Sequence, residues 1–167
     1  AWTEVGDVPT GLQNASSAGS ATSAITASGM SPHPSVSTNT CEWNGSSWSA
    51  GGACNTARYD LFGTGTETAG LIAGGNNPPG TNYQNTETYD GTSWAEVNDL
   101  NTYQEQGTAG GTATAGMVYG GYDTASPPWT ATANVQHYDG SSWTEVNNMN
   151  TARAYLSGFG DTTAAVA

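Results

Sequence analysis

A chain of 167 residues accommodates one domain and leaves no room for a second large core. It carries no Lys and two Arg against fourteen Asp and Glu, a net charge of −12. That excludes a phosphate-gripping P-loop lysine and a Schiff-base lysine. It also disfavours nucleic acid and anionic membrane surfaces, leaving neutral or cationic partners.

Leu, Ile, Val and Phe total only 17, a scarcity that with this charge ordinarily marks disorder. Six Trp and eight Tyr offset it, because many recur in register and each ring can bury a large area. The predicted core is therefore aromatic rings packed on Ala, Gly and Thr. No 18-residue apolar run occurs and no signal peptide is visible, so membrane insertion is not expected. The chain begins in mid-repeat at Ala1, as a processed or trimmed piece would.

In chain order, Trp2 opens a strand whose preceding hairpin half is missing. WNGSSW (Trp43 to Trp48), YDGTSW (Tyr89 to Trp94) and YDGSSW (Tyr138 to Trp143) then follow as near copies. The Trp residues at 2, 48, 94 and 143 are spaced 46, 46 and 49. A fixed period in this range marks one supersecondary unit repeated. Seven residues after each Trp come Pro9-Thr10, Asn55-Thr56, Asn101-Thr102 and Asn150-Thr151. Leu12, Arg58, Gln104 and Arg153 then align, followed by Gly19, Gly65, Gly111 and Gly160. Next come Ser28-Gly29, Gly74-Gly75 and Gly120-Gly121.

No 3.6-residue apolar period persists, whereas short strand signals recur between turn residues. Four strands per repeat are predicted, lettered A to D. In the second copy they fall at about 59–66, 68–74, 83–89 and 93–98. Asn44-Gly45, Asp90-Gly91 and Asp139-Gly140 predict tight C–D hairpins with both central residues at positive φ. Strands A and B, rich in Gly and Ala, suit crowded inner positions. Tyr89, Tyr138, Trp48, Trp94 and Trp143, all in register, are predicted core. Cys41 should face Ala50, so the two cysteines form either one bridge across a folded-back Gly51-Gly52 segment or two small buried thiols.

The order glycine doublet, Tyr, Trp, Arg resembles the kelch repeat, most closely at Gly74-Gly75, Tyr89 and Trp94 and at Gly120-Gly121, Tyr138, Trp143 and Arg153. The resemblance covers nearly the whole chain and implies an all-β, kelch-like β-propeller, or a segment of one, with four-stranded blades of about 46 residues. The repeat wording also resembles kelch-like arrays in tail and virion proteins of phages, marine ones especially. The single repeat domain spans 1–167, divided at about 1–47, 48–93, 94–142 and a partial 143–167. It holds a leading D strand, three complete repeats and a split fourth. The first copy departs from the pattern at Ser28 and Trp43, which predicts a less regular strand B. The missing C strand predicts free edges, hence self-association or docking into a larger assembly through Ala1–Val5 and Ala164–Ala167.

In such a blade the B–C and D–A connections share one face. The B–C loops, Ser31 to Val36, Asn76 to Asn82 and Tyr122 to Thr132, differ in every copy, and each carries Pro, which stiffens it. They bring His33, Tyr83, Tyr122, Asp123 and Trp129 to that face, with Arg58 and Arg153 beginning strand A beside them. These seven are the candidate ligand-binding residues, with the Ser126-to-Thr130 tip at their centre. For the two arginines the competing expectation is pairing with carboxylates or carbonyls between blades. No nucleophile-elbow motif stands in the chain, no metal site is expected of His33 and His137, and no cofactor is expected. The expected function is non-catalytic recognition or adhesion, with a glycan or protein ligand, on a virion or secreted surface. The alternatives are a building block of a fibre, tail or surface layer closed by neighbouring chains, or a glycoside hydrolase.

Overall fold

The computed structural model describes residues 3–125 and 128–166. Among these residues there is no helix. Three four-stranded antiparallel sheets recur along the chain. The first joins β1 (Ser16–Ser20), β2 (Ser23–Ala27), β3 (Thr40–Trp43) and β4 (Trp48–Ala50) in that order. The second joins β5 (Phe62–Thr66), β6 (Ala69–Ala73), β9 (Thr86–Tyr89) and β10 (Trp94–Val97), with a small hairpin of β7 (Asn76–Asn77) and β8 (Thr81–Asn82) inserted. A three-stranded sheet links β11 (Gln104–Glu105), β14 (Tyr122–Asp123) and β15 (Thr130–Ala131). The third large sheet joins β12 (Thr108–Thr112), β13 (Ala115–Tyr119), β16 (Val135–Tyr138) and β17 (Trp143–Glu145). A last hairpin pairs β18 (Phe159–Gly160) with β19 (Ala165–Val166).

The predicted A-B-C-D order is the observed one in all three sheets. β1, β5, β12 and β18, the A strands, stand next to one another, so the sheets face each other in succession. Small residues make this possible: a Cβ at Gly63 would strike Ser16 of the neighbouring sheet, and one at Gly110 would strike Gly160. Alternate residues of strand B serve the two interfaces, as period-two geometry requires. Ile25 and Ala27 meet Ile72, Tyr89 and Trp94 between the first and second sheets. Leu71 and Ala73 meet Val118, Tyr138 and Trp143 between the second and third. Met117, Tyr119 and Val135 form a third cluster, with Val146, Met149 and Leu156 packed against it.

The polar network between sheets repeats with the same period. The second glycine of each doublet donates to the next repeat: Gly29 N to Arg58 O, Gly75 N to Gln104 O and Gly121 N to Arg153 O. Arg58 is buried and its Nη2 donates to Glu87 Oε1 at 3.1 Å, with both side chains fully enclosed. Gln104 and Gln136 take the same two places in the third repeat and hydrogen-bond each other.

Five sequence expectations need correction. Ser28 does not loosen strand B: β2 is as long as β6, and Ser28 holds φ 61° where Gly74 holds 64°. Its hydroxyl offsets the backbone cost by donating to Arg58 O at 2.7 Å and accepting from Arg58 N at 3.0 Å. In the C–D turns only the glycine takes positive φ. Four residues separate Tyr89 from Trp94, and Asp90 Oδ1 instead accepts the N–H groups of Thr92 and Ser93. The leading D strand is not formed over Thr3–Val5, which join no strand among the described residues and are exposed; Trp2 lies outside the described residues. Trp48 is only half-buried, because among the described residues no sheet precedes its own. Arg58 cannot contact a ligand, being enclosed between sheets. Cys41 does face Ala50, and both cysteines are buried free thiols, with burial pushing Cys54 up to about 11.

Candidate functional site

The D–A connections converge beside the B–C loops. Asn14, Asp60, Gln106 and Tyr155 occupy one register, and all four hold left-handed backbone, with φ of 54°, 57°, 57° and 54°. None is glycine, and a non-glycine residue in this region costs about 1–3 kcal/mol unless its surroundings enforce it. Here the enforcement is a backbone ladder: Asp60 N donates to Asn14 O, Gln106 N to Asp60 O and Tyr155 N to Gln106 O.

The side chains form a second tier. Asn14 Nδ2 donates to Asp60 Oδ1 at 2.7 Å, and Gln106 Nε2 donates to Asp60 Oδ2 at 2.6 Å. Each amide fixes one carboxylate oxygen, so Asp60 is held in a single orientation. Asp60 is half-buried within a recess of about 210 Å³ that Asn14, Gln106 and Tyr155 also line. Tyr155 is 74% exposed and meets Tyr122 edge-on, with ring centres 5.7 Å apart. Below, enclosed Glu105 accepts a hydrogen bond from Asn76. The arrangement presents a carboxylate flanked by amides, with an open phenol ring on one side.

Burial raises the Asp60 carboxyl, and its Gln106 and Asn14 bonds oppose this. Burial raises Glu105 as well, Asn76 opposing and the nearby Asp60 adding. Carboxyls raised on folding bind more protons folded than unfolded, so stability increases as pH falls from neutral through those raised values. The exposed turn carboxylates run the other way. Backbone N–H groups hold Asp90 and Asp139 low, Asp139 at about 2, so their contribution is present at neutral pH and is lost only as acid titrates them. The melting temperature should therefore rise as pH is lowered from neutral through the titration of these two carboxyls, and fall in stronger acid as the turn carboxylates protonate. Asp60→Asn should flatten the upper limb. A melting temperature that declines steadily from neutral pH downward would contradict this.

Of the seven residues expected at the face, the structure gathers four around the third loop. Tyr122 and Asp123 lie on β14, held by β11 and β15. Trp129 is 48% exposed just before β15; Ser126 and Pro127 lie outside the described residues. Tyr83 is half-buried and follows Asn82, whose Nδ2 donates to Thr124 O and ties the second loop to the third. His33 is exposed on the first loop, which is closed by the Ser31 N to Ser35 O bond. Arg153 instead lines a cleft at the third sheet. Among the described residues no group of His, Cys, Asp and Glu could hold a metal ion. The reading of the sequence missed Asn14, Asp60, Gln106 and Tyr155. The available signal was their spacing of 46, 46 and 49, which is that of the Trp residues.

No family model matches the chain, and no curated protein matches it. Solved structures do. One described as the structure of YjhT superposes with a TM-score of 0.69 at 14% identity, over 87% of this chain and 49% of that one. The likeness is one of fold, and the chain spans about half the length of that protein.

Proposed function

We propose that the chain is a non-catalytic recognition module built as a kelch-like β-propeller segment, which binds a neutral glycan at the Asp60 recess. The observation that carries the reading is the row of four in-register residues held in left-handed backbone around one clamped carboxylate. Strain maintained by its surroundings clusters at functional sites. The chemistry suits a sugar: Asp60 accepts from hydroxyls, the Asn14 and Gln106 amides offer further polar atoms, and exposed Tyr155 gives a ring for the apolar face of a pyranose. Trp129 and Tyr122 extend the aromatic surface outward. The likeness in fold to YjhT and the repeated A-B-C-D sheets support the propeller. The lysine-free, acidic composition fits a virion or secreted surface. No reaction is assigned.

A screen against immobilised glycans tests this, followed by titration of the best ligand. Asp60→Asn and Tyr155→Ala should each weaken binding about tenfold or more, the effect of losing a charge-assisted bond or a stacking platform. Trp129→Ala should weaken it less. Equal binding by all variants, or no glycan bound, would reject the assignment. The second reading, a structural unit closed by a neighbour, is favoured by the open cleft at the third sheet.

A further inference from the structure

The C–D turns repeat one polar device with a single difference of chemistry. In the second and third repeats the residue after the aromatic ring is Asp90 or Asp139. In the first it is Asn44, followed by Gly45 in the one Asn-Gly pair of the chain. Asn44 Oδ1 accepts from Ser46 N at 3.0 Å, Ser46 Oγ at 2.8 Å and Ser47 N at 2.9 Å. Asp139 Oδ1 accepts from Ser141 N, Ser141 Oγ and Ser142 N in the same places. The first turn thus holds an amide in a seat that elsewhere holds a carboxylate, and Asn44 to Ser47 are all exposed.

That seat has the form of an oxyanion hole around an amide carbonyl. Three donors converge on Oδ1, the atom on which negative charge develops when a nucleophile adds to Asn44 Cγ. The chain itself supplies the nucleophile. Gly45 N follows Asn44 directly, its attack on Cγ closes a five-membered ring, and Gly45 has no side chain to hinder the closure. Among the described residues nothing accepts from Gly45 N–H and nothing is bonded to Asn44 Nδ2. The proton to be lost and the group to leave therefore both lie free on an exposed turn.

We infer that Asn44 is a self-modifying site, at which Gly45 N displaces ammonia and water then converts the side chain to aspartate. In the first step the bond from Gly45 N to Asn44 Cγ forms and the Cγ–Nδ2 bond breaks. The proton of Gly45 N leaves with the amide nitrogen as ammonia. In the second step one water opens the cyclic imide. Attack at Cγ restores the main chain and gives aspartate; attack at the main-chain carbonyl gives isoaspartate, with an extra methylene in the main chain. The three donors decide between the two. Attack at Cγ places the charge on Oδ1, where they converge, whereas among the described residues nothing donates to the Asn44 main-chain oxygen. Aspartate is also the product that fits. It regains the three bonds and makes the first turn like the Asp139 turn, while isoaspartate lengthens the link that sets Trp43 opposite Trp48.

The experiment follows residue 44 by peptide mapping of the full chain, native and unfolded in urea, during incubation at the same neutral pH. The native chain should convert Asn44 about threefold or more faster than the unfolded chain, the return on donors already in place. Its product should be chiefly aspartate, and that of the unfolded chain chiefly isoaspartate. Ser46→Ala removes one of the three donors from an exposed position and leaves the core intact. It should slow the native reaction about threefold or more and leave the unfolded rate nearly unchanged. Asn44→Asp, which begins at the product, should melt no lower than the parent. Native conversion no faster than unfolded, isoaspartate as the main native product, a Ser46→Ala chain that reacts at the parent rate, or an Asn44→Asp chain that melts lower would each overturn the inference.

Discussion

Arg58→Met should destabilise the protein by about 3–5 kcal/mol, the range for removing one partner of a buried ion pair. The size follows from what remains. Glu87 would remain in a fully enclosed site without its cation, with the N–H groups of Asn55 and Thr56 as its main donors. Asn85 O would also lose the 3.0 Å bond from Arg58 Nη1. Burial already disfavours the charged guanidinium, and the Glu87 carboxylate opposes that penalty, so each charge is tolerated because of the other. The double replacement Arg58→Gln with Glu87→Gln should recover most of the loss, to within about 1–2 kcal/mol of the parent. The molecule contains the precedent, since Gln104 and Gln136 occupy the same places one repeat later, where Gln136 Oε1 accepts from Asn101 N at 2.8 Å. Urea unfolding of the two single variants and the double variant gives the coupling. A single variant that loses less than about 1 kcal/mol, or a double variant no better than the singles, would show that the pair is not what holds this corner.

That pair also shows what can be read from such a sequence. The Trp period was sufficient to place three sheets and to order their strands, because alternation and hairpin turns are local features. The fate of Arg58 was not local. Its partner Glu87 lies 29 positions away, and burial depends on the whole neighbouring sheet. A trace was nevertheless present, since the two aligned positions change together, as Arg with Glu and then Gln with Gln. The Asp60 recess was hidden for a different reason. Asn14, Asp60, Gln106 and Tyr155 share a backbone conformation but are four different residue types, so similarity among the copies could not single them out. The loops at Tyr122 and Trp129 were legible because they break the repeat. The strand expected at Thr3–Val5 is not formed because a D strand needs a C strand beside it, and among the described residues none stands there.

Trp94→Ala and Trp143→Ala should each cost about 3–5 kcal/mol, the usual loss for emptying a buried large aromatic site. Both rings are buried, and each spans from its own sheet to the one before. Trp94 stacks on Tyr89 at 4.9 Å and Trp143 on Tyr138 at 5.1 Å. Each indole N–H reaches a buried threonine hydroxyl, so truncation also leaves Thr40 or Thr86 without its donor. Trp94→Phe separates the two contributions. It keeps most of the ring and should cost only about 1–2 kcal/mol, the net worth of the lost bond plus a small packing defect. Trp48 supplies the internal control. It occupies the same register and meets Trp43 at 5.4 Å, but it is only half-buried, with no sheet before its own among the described residues, so Trp48→Ala should cost only about 1 kcal/mol. The ordering to be measured by thermal melting is Trp94→Ala and Trp143→Ala largest, Trp94→Phe intermediate to small, Trp48→Ala small. If Trp48→Ala proved as damaging as Trp94→Ala, a surface would have to cover the outer face of the first sheet. The aromatic residues would then be closing a complete ring of sheets and not an open row.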